Sequence, residues 1–157
     1  MNDFDKNADF GIELLRRIAI KKGYDVRFPK DRYSTPDVFF KKNDTIAIAE
    51  FKYRSMSDNQ LINKYNNELL IEEDKLNRLL KEYKNKKLSK CLYICSITSG
   101  DTYFFDLTNP LIMNLPSIEM NCPHYTSVGN KQYKKKNCKM LSVSGVYMLS
   151  KTKINIE

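Results

Sequence analysis

Apolar and polar residues repeat along this chain with two different periods, and the elements can be read from where the period changes. Over residues 9–22, Phe10, Leu14, Leu15 and Ile18 recur at helical spacing. That gives a helix with one apolar face, which Asp9 is expected to cap and Gly23 to end in a left-handed conformation. The next stretch holds Pro29 and Pro36 among polar residues and reads as a short extended segment and a loop. Residues 37–40 and 45–53 are rich in aromatic and β-branched side chains around a polar turn, which predicts a β-hairpin. In its second strand, alternation puts Ile46, Ile48, Glu50 and Lys52 on one face and Ala47, Ala49 and Phe51 on the other. The two alanines leave room for a helix to approach closely.

Residues 59–85 carry Leu61, Ile62, Tyr65, Leu69, Leu76, Leu79, Leu80 and Tyr83, an apolar stripe broken at Glu72-Glu73-Asp74. This predicts one long helix, or two meeting near the acidic triplet. Two strand runs within 90–107 flank Ser99-Gly100-Asp101, a tight hairpin signal, and Asn109-Pro110 closes them. Beyond Leu111 the signals weaken, with Pro116, Pro123 and Gly129 punctuating short apolar pieces and residues 142–149 reading as a last strand. The expected fold is α/β, a central mixed β-sheet flanked by helices, in a single domain over 1–157. Its core motif region is 9–106, and 107–157 has no assigned topology.

Composition narrows the chemistry. The chain has 157 residues, a length that can bury one sizeable core and leaves no room for a separate specificity domain. Its net charge of +8 attracts polyanions, so nucleic acid is the leading partner, although lysines on solvated faces also serve solubility. No apolar run is long enough to span a membrane and the N-terminal stretch is acidic and polar, so a cytoplasmic location without membrane contact is expected. The four cysteines lack CxxC spacing and read as buried, reduced thiols rather than a zinc site or disulfide framework. With a single histidine, His124, and no phosphate-cradling glycine loop, serine- or cysteine-based triads and nucleotide hydrolysis have little support. Carboxylates and lysines remain as the reactive groups.

The order of a helix, then Pro36-Asp37 opening a hairpin, then Glu50-Phe51-Lys52 ending an alternating strand resembles the PD-(D/E)XK nuclease superfamily over residues 9–85. The resemblance implies a restriction-endonuclease-like core and metal-dependent hydrolysis of phosphodiester bonds, in DNA in the first instance, with Mg²⁺ or Mn²⁺ as cofactor. Asp37 and Glu50 would hold the cation, joined by the main-chain carbonyl of Phe51, and Lys52 would orient or activate the attacking water. Glu13 stands where superfamily members often carry a further acidic ligand; the alternative is a surface pair with Arg17, four residues on. For the motif itself the alternative is that Asp37 caps a turn while Glu50 and Lys52 form a surface pair.

Gln60 and Arg54 are the nearest candidates for substrate contact beyond the motif. The run around Tyr133, with Lys131, Lys134, Lys135, Lys136 and Lys139, reads either as a patch that tracks a nucleic-acid backbone or as a solvated loop. The small size resembles the junction-resolving and repair enzymes of the superfamily, which implies a homodimer acting on symmetric substrates. Two alternatives of other classes are a nucleic-acid-binding module that does not cut and a protein-interaction module on the same scaffold.

Overall fold

The first helix, α1 (Asp3–Lys22), begins six residues before the expected cap, because nothing in its first two turns breaks a helix and acidic residues there suit the positive end of its dipole. Its end is as expected. Gly23 adopts φ +76° and donates to the Ile20 carbonyl while Tyr24 donates to that of Ala19, a Schellman closure. In this computed structural model the described residues are 3–28, 38–123, 133–143 and 145–156, with side chains for 10–28, 38–121, 134–143 and 145–156.

A six-stranded mixed sheet follows the order β1 (Asp25–Arg27), β2 (Val38–Lys42), β3 (Thr45–Tyr53), β5 (Lys90–Ser96), β6 (Asp101–Asp106), β9 (Ser150–Lys153). Only β3 and β5 run parallel; the other neighbours are antiparallel. The hairpin of β2 and β3 turns at Asn43-Asp44, where Asn43 takes φ +53°, a conformation asparagine tolerates. Alternation then sorts the two faces. Ala47, Ala49 and Phe51, with Leu92, Ile94 and Phe104, pack against Leu14, Leu15, Ile18 and Ala19 of α1. Ile48, Tyr93, Cys95, Tyr103 and Phe105 face a second core built from the elements between β3 and β5. Strand β3 is therefore covered on both faces, which is why Ala47 through Phe51 are all buried.

Those intervening elements differ from the long helix that the apolar stripe predicts. The short α2 (Asp58–Asn63) ends before Asn66 and Asn67, both left-handed, and the chain then forms β4 (Glu68–Glu72) before α3 (Glu73–Asn85). Consecutive residues at φ +54° and +59° cannot continue a helix, and Leu69 and Ile71 are buried two apart, as in a strand. Strand β4 belongs to a second sheet, β4-β8-β7, with β7 (Ile118–Pro123) and β8 (Tyr133–Ser142). The lysine run therefore enters a paired strand rather than a loop. The short α4 (Pro110–Met113), capped by Asn109, precedes β7. Where residues 142–149 read as a strand, Gly145 at φ +75° starts a 3-10 turn (Gly145–Tyr147), and the last strand is β9 at the sheet edge. Among the described residues no helix is long and apolar enough to cross a membrane.

The β5–β6 turn is pinned by the C-terminal segment. Gly100 has φ +90°, its carbonyl accepts from the Ile154 amide at 2.8 Å, and a Cβ there would lie 2.1 Å from the Ile154 carbonyl oxygen. Gly100→Ala is expected to lower stability by at least about 2 kcal/mol, through both the strained φ and the clash with main chain. Urea unfolding of the two proteins checks this, and an unchanged midpoint would remove the constraint.

Candidate functional site

Glu50 and Lys52 leave β3 on the face away from α1, beside Tyr93 and Cys95, their register partners on β5. Glu50 is only 2 % exposed. Two ammonium groups converge on its Oε1: Lys52 Nζ at 3.7 Å and Lys75 Nζ at 3.2 Å, the latter as a hydrogen bond. A carboxylate so far from water is costly unless paired, and the pairing is supplied by one residue of the same strand and one of α3. Burial, the largest single influence, would depress the Lys75 ammonium, but Glu50 and the other polar neighbours together hold the group above its ordinary range.

The floor of this site is a polar lock between the two sheets. Tyr93, buried beside Glu50, donates its hydroxyl to the Leu70 carbonyl at 2.8 Å. Arg54 Nη2 donates to the same carbonyl at 3.1 Å and to the Tyr93 hydroxyl at 3.3 Å. Burial drives the Tyr93 phenol well above its usual range, so it stays a donor. Burial likewise pushes the Cys95 thiol to about 11, and the Cys91 thiol to about 12. Cys91 and Cys95 are buried thiols, as read from their spacing, and Cys138 is buried as well.

The remaining sequence candidates separate. Asp37 and Lys131 lie outside the described residues, and so does the side chain of Tyr133. Glu13 sits on α1, on the opposite side of the sheet from the Glu50 side chain. Its half-exposed carboxylate pairs with Arg17 at 3.2 Å, which is the surface-pair alternative. Gln60 closes a capping box: its Oε1 accepts from the Ser57 amide and its own amide donates to Ser57 Oγ. Arg54 turns inward to the lock described above rather than out toward a substrate phosphate. In the lysine run, Lys134 and Lys135 are exposed, and Lys135 pairs loosely with Glu119 at 3.6 Å. Lys136 is partly buried against Glu72, 3.3 Å from its Oε1. Lys139 is buried and caps α4, donating to the Met113 carbonyl at 2.6 Å. Phe51 packs on the α1 side.

Sequence reasoning missed Lys75, and the acidic triplet that interrupts the predicted helix begins with Glu72, the last residue of β4. Glu72 ends β4 and stands between Lys136 and the field of Lys75. The signal lay in Asn66-Asn67 followed by alternating Leu69 and Ile71. A strand there starts the next helix at Glu73, and Lys75 then lies one turn before the buried Leu79. Among the described residues, no three Asp, Glu, His or Cys side chains gather closely enough to hold a metal ion.

The mixed six-stranded sheet flanked by helices matches the fold of a solved resolvase structure. The chain is similar to the 1.6 Å structure of Hjc from Archaeoglobus fulgidus, a Holliday junction resolvase from an archaeal hyperthermophile, with a TM-score of 0.50 and 14 % identity over 85 % of each chain. No protein-family model matches the chain, and no curated protein matches it in sequence.

One outcome tests the polar lock and another the buried thiols. Arg54→Met should cost roughly 1–3 kcal/mol, the range for a hydrogen bond from a charged donor, and leave nucleic-acid affinity unchanged; a loss of affinity without loss of stability would return Arg54 to the substrate. With their thiols held this high, Cys91 and Cys95 should resist a thiol-specific disulfide reagent at pH 8 in the folded protein and react on unfolding. Mass mapping of the labelled residues reads the result.

Proposed function

We propose that this protein is a metal-dependent endonuclease that hydrolyses phosphodiester bonds in nucleic acid, DNA being the expected substrate. The observation that carries this reading is a nearly fully buried Glu50, paired with Lys52 on one face of the central strand, on the fold of a Holliday junction resolvase. A buried carboxylate with specific charged partners is a candidate functional group on physical grounds.

The donors suit Mg²⁺ or Mn²⁺ in kind, since Glu50 and the main-chain carbonyl of Phe51 both offer hard oxygen. One carboxylate does not hold a divalent cation, so the proposal requires Asp37. Asp37 immediately precedes Val38, and Val38 pairs with Ala49, the neighbour of Glu50. Glu13 is left out of this ligand set because Arg17 engages it. A bound cation would supply charge stabilisation at the phosphate and a more acidic water. Lys52 then orients that water or stabilises charge on the phosphate oxygens, and the lock of Arg54 and Tyr93 keeps β3 and β4 in place around it. Lys134 and Lys135, with Lys131 and Tyr133 of the same segment, are proposed to follow the nucleic-acid backbone. A homodimer and a cytoplasmic location belong to the same proposal.

One observation favours a second reading, a module that binds nucleic acid without cutting: Glu50 is already neutralised by two ammonium groups. Labelled duplex, single-strand, flap, four-way-junction and RNA substrates, each with Mg²⁺, Mn²⁺ or EDTA, separate the two. Cutting that needs metal and falls by about a hundredfold or more in Lys52→Ala establishes the nuclease. Binding that EDTA does not alter, with no cutting of any substrate, establishes the second reading.

A further inference from the structure

On the α1 face of the main sheet, opposite the Glu50 side chain, there is a cavity of about 280 Å³. Small residues make room for it: Ala19 of α1 and Ala47 of β3 both line it, where larger side chains would close the gap between helix and sheet. Leu92, Ile94 and Phe104 of the sheet and Ile18 of the helix supply its apolar walls. Leu149, 52 % exposed, lines it where the chain enters β9, so the cavity is open to water there.

Its charge has one sign. Among the described residues the charged ones in the lining are Lys22, in the last turn of α1, and Lys90, which opens β5 as the register partner of Ala47. Lys22 Nζ stands 4.9 Å from the centre of the Phe104 ring, which holds its ammonium over the apolar wall. Lys90 is exposed, and among the described residues neither lysine is paired with a carboxylate. The nearby Asp106, register partner of Leu92, spends its Oδ1 on the amide and hydroxyl of Thr108. The negative end of the α1 dipole also lies here, and Lys21 and Lys22 in the last turn offset it. The other polar residues of the lining are Tyr24 and Ser150. A nucleobase, with donors and acceptors all along its edge, would leave most of them unpaired against such walls.

We propose that this cavity is a binding site for a medium-chain carboxylate, its apolar chain lying over Ala47 and its head group between the ammonium groups of Lys22 and Lys90. At the packing density of a protein interior the space suits about ten non-hydrogen atoms. The site is separate from the Glu50 cluster and does not rest on the nuclease reading.

The test is titration of the methyl-labelled protein with octanoate, a chain of that size, followed by nuclear magnetic resonance. Octanol, octylammonium and acetate serve as comparisons. Octanoate should shift the methyl groups of Ile18, Leu92, Ile94 and Leu149 and saturate at about a millimolar or below. Octanol and octylammonium should bind about fivefold to tenfold more weakly, because each lacks the charge that two partly exposed lysines attract, and acetate should shift none of these methyls. The Lys22→Gln/Lys90→Gln double variant should bind octanoate no better than octanol. Ala47→Leu, shown by circular dichroism to be folded, should bind neither. Saturating octanoate should raise the melting temperature of the wild type, and not that of Ala47→Leu.

Octanoate that leaves the pocket methyls unmoved at ten times that concentration overturns the proposal. Octanol binding as tightly as octanoate overturns it too, since the lysines would then select nothing, as does full octanoate affinity in the lysine double variant. Pocket shifts caused by oligothymidine, or by raising the protein concentration alone, would make the occupant a nucleic acid or a second copy of the chain and would likewise overturn it.

Discussion

A carboxylate almost wholly removed from water organises this protein. Glu50 sits at 2 % exposure on a strand closed by α1 on one face and by the second core on the other. An unpaired charge in that position would cost several times what a typical hydrogen bond returns. Lys52 alone, at 3.7 Å, gives a loose pair; the hydrogen bond from Lys75 at 3.2 Å completes it. The fold must therefore deliver a residue from α3 to the end of β3, and the elements between them are arranged accordingly.

That delivery runs through β4. The Leu70 carbonyl accepts from both Tyr93 and Arg54, which ties the edge of the second sheet to β5 and to the end of β3. Two residues later Glu72 ends the strand, and α3 begins at Glu73 with Leu76 and Leu79 facing the core. Lys75 reaches Glu50 because the start of α3 is fixed by hydrogen bonds to the main chain two residues upstream of Glu72. The second sheet thus does more than cover the first. It sets the position of α3 and places Lys136 of β8 against Glu72, so the lysine-rich strand and the buried acid share one run of charges.

Period-two and helical patterns are local, and what depended on them was legible. Ala47, Ala49 and Phe51 met α1, Ile48 and Glu50 faced the other way, Gly23 ended the helix, and Gly100 turned the β5–β6 hairpin. The apolar stripe from Leu61 to Tyr83 misled because strand β4 contributes Leu69 and Ile71 at a spacing that also fits a helix face. The two left-handed asparagines carried the correction. Residues 133–142 were illegible for another reason. A strand of lysines has no apolar alternation to show; its pairing comes from β4 and β7, and its one buried lysine, Lys139, is satisfied by carbonyls at the end of α4. Arg54 and Gln60 were assigned outward roles because sequence shows their charge and polarity but not the carbonyl, hydroxyl or cap that takes them up.

The same division accounts for what can persist at 14 % identity to an archaeal resolvase. Strand pairing is made by main chain, and the face rule asks only for alternation, so most side chains of the sheet can change while the frame stays. The acid and lysine two apart on β3 are the local part of the site, and any hairpin of this frame can present them. Lys75 is the non-local part, because its contact with Glu50 exists only while the junction of β4 and α3 holds its place. A change in Asn66, Asn67 or the Arg54–Tyr93 lock would therefore reach the buried acid without touching it. Frame and local motif would be left intact, and the electrostatic balance of the site would shift.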